Sequence, residues 1–177
     1  VAYRRASILT NSARLKSDEE TMSELSKTSY GKRLESYRKR SGKTIPEMAS
    51  MVGVTFESYV DLEMQENELF DCISLRKLRL LAKTLGFNLV EFFSDGGEVP
   101  LDSVTLEQLA DKIKHYISEH NVTVRQFEVE AGWQVEKALI KPTEFLDLNL
   151  TGLKDVCNKV GMSWLSVLSA LDTLQAG

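Results

Sequence analysis

The chain has 177 residues, 42% hydrophobic and 27% charged, with three prolines and ten glycines. That composition excludes collagen-like and proline-rich extended chains and fits one medium or two small folded domains. The net charge of −4 conceals a split: residues 1–45 hold 11 Lys and Arg against 5 Asp and Glu, and residues 46–177 hold 11 against 21, so only the first stretch favours a polyanion.

The opening VAYRRASILTNSARLKSDEE lacks the apolar stretch of a signal peptide, and no apolar run approaches the ~18–20 residues of a membrane span. Cys72 and Cys157 cannot make a disulfide framework. A cytoplasmic protein with no membrane partner is expected. The chain opens at Val1, with Met22 as an alternative start. Residues 1–28 read as a flexible polar arm, with a loose helix at most over Asp18–Leu25 and the cations Arg4, Arg5, Arg14 and Lys16.

From Tyr30 the pattern tightens. Leu34 and Tyr37 mark a helix ending near Ser41-Gly42. Thr44-Ile45-Pro46-Glu47 is a capping box with proline in the first turn. It opens a helix carrying Ile45, Met48, Ala49 and Val52 that stops at Gly53. Thr55 starts a third helix, with Tyr59 and Leu62 inward. Gln65–Cys72 reads as a loop. Leu75, Leu78, Leu81, Ala82 and Leu85 make a fourth helix closed by Gly86, and Asn88–Phe93 a short fifth. Ser94 to Pro100 has the composition of a linker.

The second half repeats the plan. Thr105-Leu106-Glu107-Gln108 and Thr123-Val124-Arg125-Gln126 are further capping boxes, the second helix ending at Gly132. Trp133–Ile140 reads as a short helix broken by Pro142. Leu153, Val156, Val160 and Gly161 mirror the fourth helix, and Trp164–Leu174 is the last. Gly53 and Gly132 lie 79 apart, and Gly86 and Gly161 lie 75 apart. That is the offset of a duplicated unit with a shorter loop near Pro142. The expected organisation is an arm over 1–28, one domain over 29–94, a linker over 95–103 and a second domain over 104–177.

The stretch YGKRLESYRKRSGKTIPEMASMVGVTFESYVDLE, followed by LRKLRLLAKTLGFNLVEFF, resembles the lambda-repressor/Cro (Xre-type) helix-turn-helix family. The matching positions are Thr44, Met48-Ala49, Gly53-Val54-Thr55 and Tyr59-Val60-Asp61-Leu62-Glu63. Residues 104–170 are a degenerate match that keeps Thr123, Gly132 and the ending Val160-Gly161-Met162-Ser163-Trp164-Leu165. The resemblance implies an all-α chain of tandem five-helix helix-turn-helix domains. It also implies a sequence-specific, dimeric transcriptional regulator of the phage-repressor type acting on double-stranded DNA.

Carried onto this chain, the resemblance places Thr44 and Lys43 at phosphate and Thr55 as the cap of the third helix. Phe56, Glu57, Ser58 and Asp61 then face the major groove. Arg33, Arg38 and Arg40 on the first helix read either as phosphate contacts or as a solvated face. A possible second DNA surface is Arg125, Gln126, Gln134 and Lys137, with Trp133 filling the core place of Val54. Trp164, Val167, Leu171 and Leu174 form an apolar stripe that reads either as core or as a dimer interface.

The departure from the family lies in charge. Thr55–Glu68 contains Glu57, Asp61, Glu63, Glu66 and Glu68 and no basic residue, which disfavours a polyanion. The rival expectation is therefore a protein-interaction module, antitoxin-like, adaptor or DNA-mimicking, that binds another protein through its acidic surface. His115 and His120 are five apart and diverge on a helix, so no metal site is expected. No phosphate loop, nucleophile elbow or carboxylate pair occurs. Neither catalysis nor a cofactor is expected.

Overall fold

The computed structural model describes residues 29–65, 67–94 and 102–173. The arm expected over 1–28, its helix at Asp18–Leu25, the start at Met22 and most of the linker 95–103 lie outside the described residues. Every regular element among the described residues is helical, in keeping with the all-α expectation. No helix among them is long and apolar enough to cross a membrane.

Most helices begin where a polar side chain satisfies the orphan N–H groups of a first turn. Ser29 caps α1 (Tyr30–Arg40). Thr44 and Glu47 form a reciprocal box at the head of α2 (Ile45–Val52), with Pro46 in its first turn. Thr55 caps α3 (Phe56–Met64). The segment expected as a loop over Gln65–Cys72 contains a one-turn helix, α4 (Glu68–Asp71), which buries Leu69 completely. Ser74 caps α5 (Leu75–Leu85), and Asn88 caps α6 (Leu89–Phe93).

In the second half, α7 (Leu106–Glu119) and α8 (Val124–Ala131) open in the boxes Thr105/Gln108 and Thr123/Gln126. The helix expected over Trp133–Ile140 is shorter, since α9 covers only Glu136–Ile140. Val135 has no polar side chain to cap it. Glu128 of α8 caps it instead, its carboxylate accepting from the N–H groups of Val135 and Glu136 at 2.7 and 2.9 Å. Pro142 then opens a 3-10 helix, η1 (Pro142–Asp147), that buries Phe145 and Leu146. Asn149 caps α10 (Leu150–Lys159), and α11 (Trp164–Thr173) ends the described chain. Each half thus carries six helical elements among the described residues rather than the expected five, α4 and η1 being the additions.

The packing of the halves corresponds. In the first, α1 packs on α3 and α6, and α2 packs on α5; in the second, α7 packs on α9 and α11, and α8 packs on α10. Between halves, α4 packs on α10, η1 on α5, and α6 on α11. The buried apolar residues of both halves form one connected cluster. Polar groups tie the junction as well. Ser74 and Asn149 form an antiparallel bridge, and Leu75 N donates to Leu148 O at 2.8 Å. Asn149 Nδ2 donates to Asp71 O at 2.7 Å. Asp172 of α11 accepts from the N–H groups of Leu89 and Val90 at the head of α6.

Candidate functional site

The helix pair α2–α3 turns at Gly53. Its φ of 69° is left-handed, a conformation that costs glycine nothing and a β-carbon much more. Val54 N returns to Ala49 O at 3.0 Å. Met48, Ala49 and Val52 of α2 and Tyr59 and Leu62 of α3 are buried. Thr55, Phe56, Glu57 and Ser58 are exposed, and Asp61 is half-buried. Thr55 Oγ1 accepts from Ser58 N at 3.1 Å and donates to Ser58 Oγ at 3.0 Å, so the cap also orients the serine hydroxyl.

Two of the cations expected at phosphate are turned inward. Arg33 is 4% exposed; its Nη1 donates to Phe92 O at 2.7 Å, and its guanidinium lies 5.0 Å over the Tyr30 ring. Arg38 is 8% exposed and forks onto Glu63, with Nε–Oε1 at 2.6 Å and Nη2–Oε2 at 2.8 Å. Its Nη1 donates to Lys43 O at 3.1 Å. The cause is desolvation. A guanidinium held between helices keeps its charge only where a carboxylate or carbonyl replaces water, and α3 and α6 supply those groups. Glu63 raises the Arg38 pKa above its ordinary value, its hydrogen bonds outweighing burial. The same contact withdraws Glu63 from the acidic surface of α3.

Arg40 and Lys43 lie nearer solvent. Arg40 is exposed and stacks 4.4 Å over the Tyr37 ring, and Lys43 is half-buried. Thr44 is exposed, but its N–H and Oγ1 both donate to Glu47 Oε2 at 2.7 Å. Those bonds hold the Glu47 carboxyl below its usual range. An anion seated at Thr44 must displace that carboxylate. One cation escapes a reading of the helix pair alone: Lys77 of α5 sends Nζ to Gly53 O at 2.7 Å. The signal for it is the electronegative C-terminus of α2, which attracts a cation from whichever element packs beside it.

The second pair, α8–α9, turns at Gly132, and Trp133 N returns to Glu128 O as Val54 N does to Ala49 O. Trp133, like Val54, is half-buried and packs against the core cluster. Its ring lies against Gly152 of α10, and its Nε1 donates to Asp155 Oδ2 at 2.9 Å. Arg125, Gln126, Gln134 and Lys137 are all exposed. Gln126 is committed to the cap, its Oε1 accepting from Thr123 N at 2.7 Å and from Thr123 Oγ1 at 3.0 Å.

A cleft of about 490 Å³ opens behind α3, lined by Ser58, Asp61, Leu62, Glu68, Cys72 and Lys77 among others. A hydrogen bond to Glu68 pushes the Cys72 thiol up to about 11. Burial pushes Cys157 up to about 12. His115 meets Glu119 at 3.0 Å on the surface of α7, and His120, its exposed C-cap, stacks on Tyr116.

Within the apolar stripe of α11, Val167 and Leu171 are covered by the chain itself. They are 0% and 2% exposed, because α11 packs on α6, α7 and α10. Trp164 is half-buried with its ring 6.2 Å from that of Phe93, and Leu174 lies outside the described residues. Of the two readings of this stripe, Val167 and Leu171 take the core one, packed on α6 of the other half and on α7 and α10 of their own. None of the protein-family models, curated proteins or solved structures compared with the chain matches it.

Proposed function

We propose that the chain is a sequence-specific DNA-binding transcriptional regulator of the phage-repressor, Xre-like type, with α2–α3 as one helix-turn-helix and α8–α9 as a degenerate second. The observation that carries this reading is the outer edge of α3. Thr55, Phe56, Glu57 and Ser58 stand exposed on a helix held by the Gly53 turn, the Thr55 cap and the Arg38–Glu63 fork. In such an arrangement the third helix lies in the major groove. Glu57 can accept from cytosine N4, Phe56 can meet a thymine methyl, and Ser58 can bond to either kind of base edge. Arg40 and Lys43 take the phosphate role that Arg33 and Arg38 cannot fill, with Arg125 and Lys137 serving the second pair.

Titration of a random-sequence duplex by anisotropy at low and moderate salt tests the reading. Lys43→Ala is expected to weaken binding on all sequences and to lower the salt slope by about 1. Ser58→Ala should alter sequence preference instead. Absence of any complex at about 50 mM salt, where phosphate contacts are strongest, would end this reading.

A second reading rests on a different observation. Of the six large hydrophobic residues exposed among the described residues, Met51, Phe56, Met64, Val129 and Ile140 lie on the two helix pairs. Apolar side chains beside the acids of α3 suit a protein partner better than a phosphate backbone. Under this reading, Met64→Ser and Ile140→Ser abolish partner binding. Under the DNA reading, the same variants leave duplex affinity intact.

A further inference from the structure

We infer that the chain is its own pair: the two halves meet about an internal pseudo-two-fold axis, and a single chain presents α3 and α9 to one duplex with two unlike half-sites. This rests on the DNA-binding reading above and replaces the homodimer that the family resemblance implies.

A two-fold interface is recognised by reciprocity: where i touches j, j touches i. Ser74 and Asn149 hold the same place in the two halves, as N-caps of α5 and α10, and are 75 residues apart, like Gly86 and Gly161. They bridge each other, as equivalent groups on an axis do. Away from the bridge the contacts exchange partners. α4 packs on α10, while its counterpart η1 packs on α5. Thr151, in the first turn of α10, donates to Asp71 of α4; Arg76, at the same place in α5, donates to Asp147 of η1 at 3.1 Å. α6 packs on its own counterpart, α11. Helix α3 leads into α4 and α9 leads into η1, so each candidate reading helix stands one short element before the helix that the bridge caps.

The axis is also filled. Leu89, Val90, Phe92 and Phe93 of α6 and Val167, Leu168 and Leu171 of α11 are all buried within one chain. The apolar surface that a second copy would cover there is already used.

Symmetry breaks where bases would be read. α3 has nine residues and α9 five. Phe56, Glu57, Ser58 and Asp61 stand on one helix; Gln134 and Lys137 stand at the head of the other. Glutamate favours cytosine, glutamine adenine and lysine guanine. The target is therefore a duplex without inverted repetition, bound by one chain.

The test combines sedimentation of the full chain, alone and with duplex, with selection from a random duplex pool at low salt. The expected result is one chain in solution, one chain per duplex, and a selected site whose halves are unrelated. Lys137→Ala should relax selection in one half of that site and Glu57→Gln in the other. Two chains per duplex, or a palindromic selected site, overturns the inference while leaving the DNA reading intact. A free chain that sediments as a dimer also overturns it, whether or not DNA binds. A monomer that retains no duplex at low salt brings down the DNA reading, and the two-half-site claim with it.

Discussion

At Arg38 the guanidinium exchanges water for both oxygens of Glu63 and the carbonyl of Lys43. Removing one partner leaves a buried charge without compensation, so Glu63→Ala is expected to cost about 3–5 kcal/mol. Arg38→Met combined with Glu63→Leu should cost less than the sum of the two single changes, because no charge remains inside. Denaturant midpoints at unchanged m-value measure this, and strictly additive losses would show the pair to be uncoupled. Cys72 offers a second test. Its Glu68 contact first, then burial and the charges of Asp71 and Asp61, raise the thiol to about 11, which near pH 8 lowers the thiolate fraction, and so the alkylation rate, roughly 100-fold. Glu68→Gln should restore most of that rate with iodoacetamide. An unchanged rate would mean that access rather than ionisation limits Cys72.

Among the elements, α11 and α6 are joined by a cap supplied across the chain. Asp172 accepts from Leu89 N and Val90 N, yet its carboxyl pKa is raised, because burial outweighs those bonds. A carboxyl whose folded pKa exceeds its unfolded value holds its proton more tightly in the fold. Stability therefore falls as pH rises from the ordinary 3.8 through the raised value. Asp172→Asn keeps an acceptor and should flatten stability across that window, whereas Asp172→Ala should lose about 0.5–2 kcal/mol at neutral pH with the cap. Thermal midpoints of the three proteins from pH 3 to pH 7 decide it, and parallel pH curves for Asp172→Asn and the parent chain would contradict the assignment. Caps made within four residues, such as the boxes at Thr44, Thr105 and Thr123, are legible in the sequence because their geometry is local. The inward places of Tyr59 and Leu62 follow from the helical period, and the exposed edge Phe56–Ser58 is what the family resemblance implies. What is hidden depends on distant partners. Arg38 is buried by a residue 25 positions on, and Arg33 by a carbonyl 59 positions on. α9 is capped by Glu128 from another helix, and the choice between core and interface for Val167 is made only by α6 packing on it. α4 is missed because two adjacent apolar residues, Leu69 and Phe70, in a single turn make no period.

The molecule as a whole packs halves of roughly 65–70 residues, a size at which an isolated domain buries a marginal share of its surface. Here the buried residues of both halves join in one cluster, and α6–α11, α4–α10 and η1–α5 contacts cross between them. Loss of either half exposes apolar surface on the other, so unfolding of one should draw the other with it. The sequence supplies its own asymmetric probe. Trp133 and Trp164, the two tryptophans, both lie in the second half, whereas far-ultraviolet dichroism reports helices throughout. In urea, fluorescence and dichroism are expected to give one shared midpoint, as a two-state transition requires. A dichroism transition that splits in two, with fluorescence following only one step, would show that the halves are independent domains on a linker. The internal axis would then be a docking of preformed units. Such a split would also change how DNA is held. Two independent domains could track half-sites at variable spacing, whereas halves sharing one core fix the spacing and are sensitive to insertion of a single base pair between them.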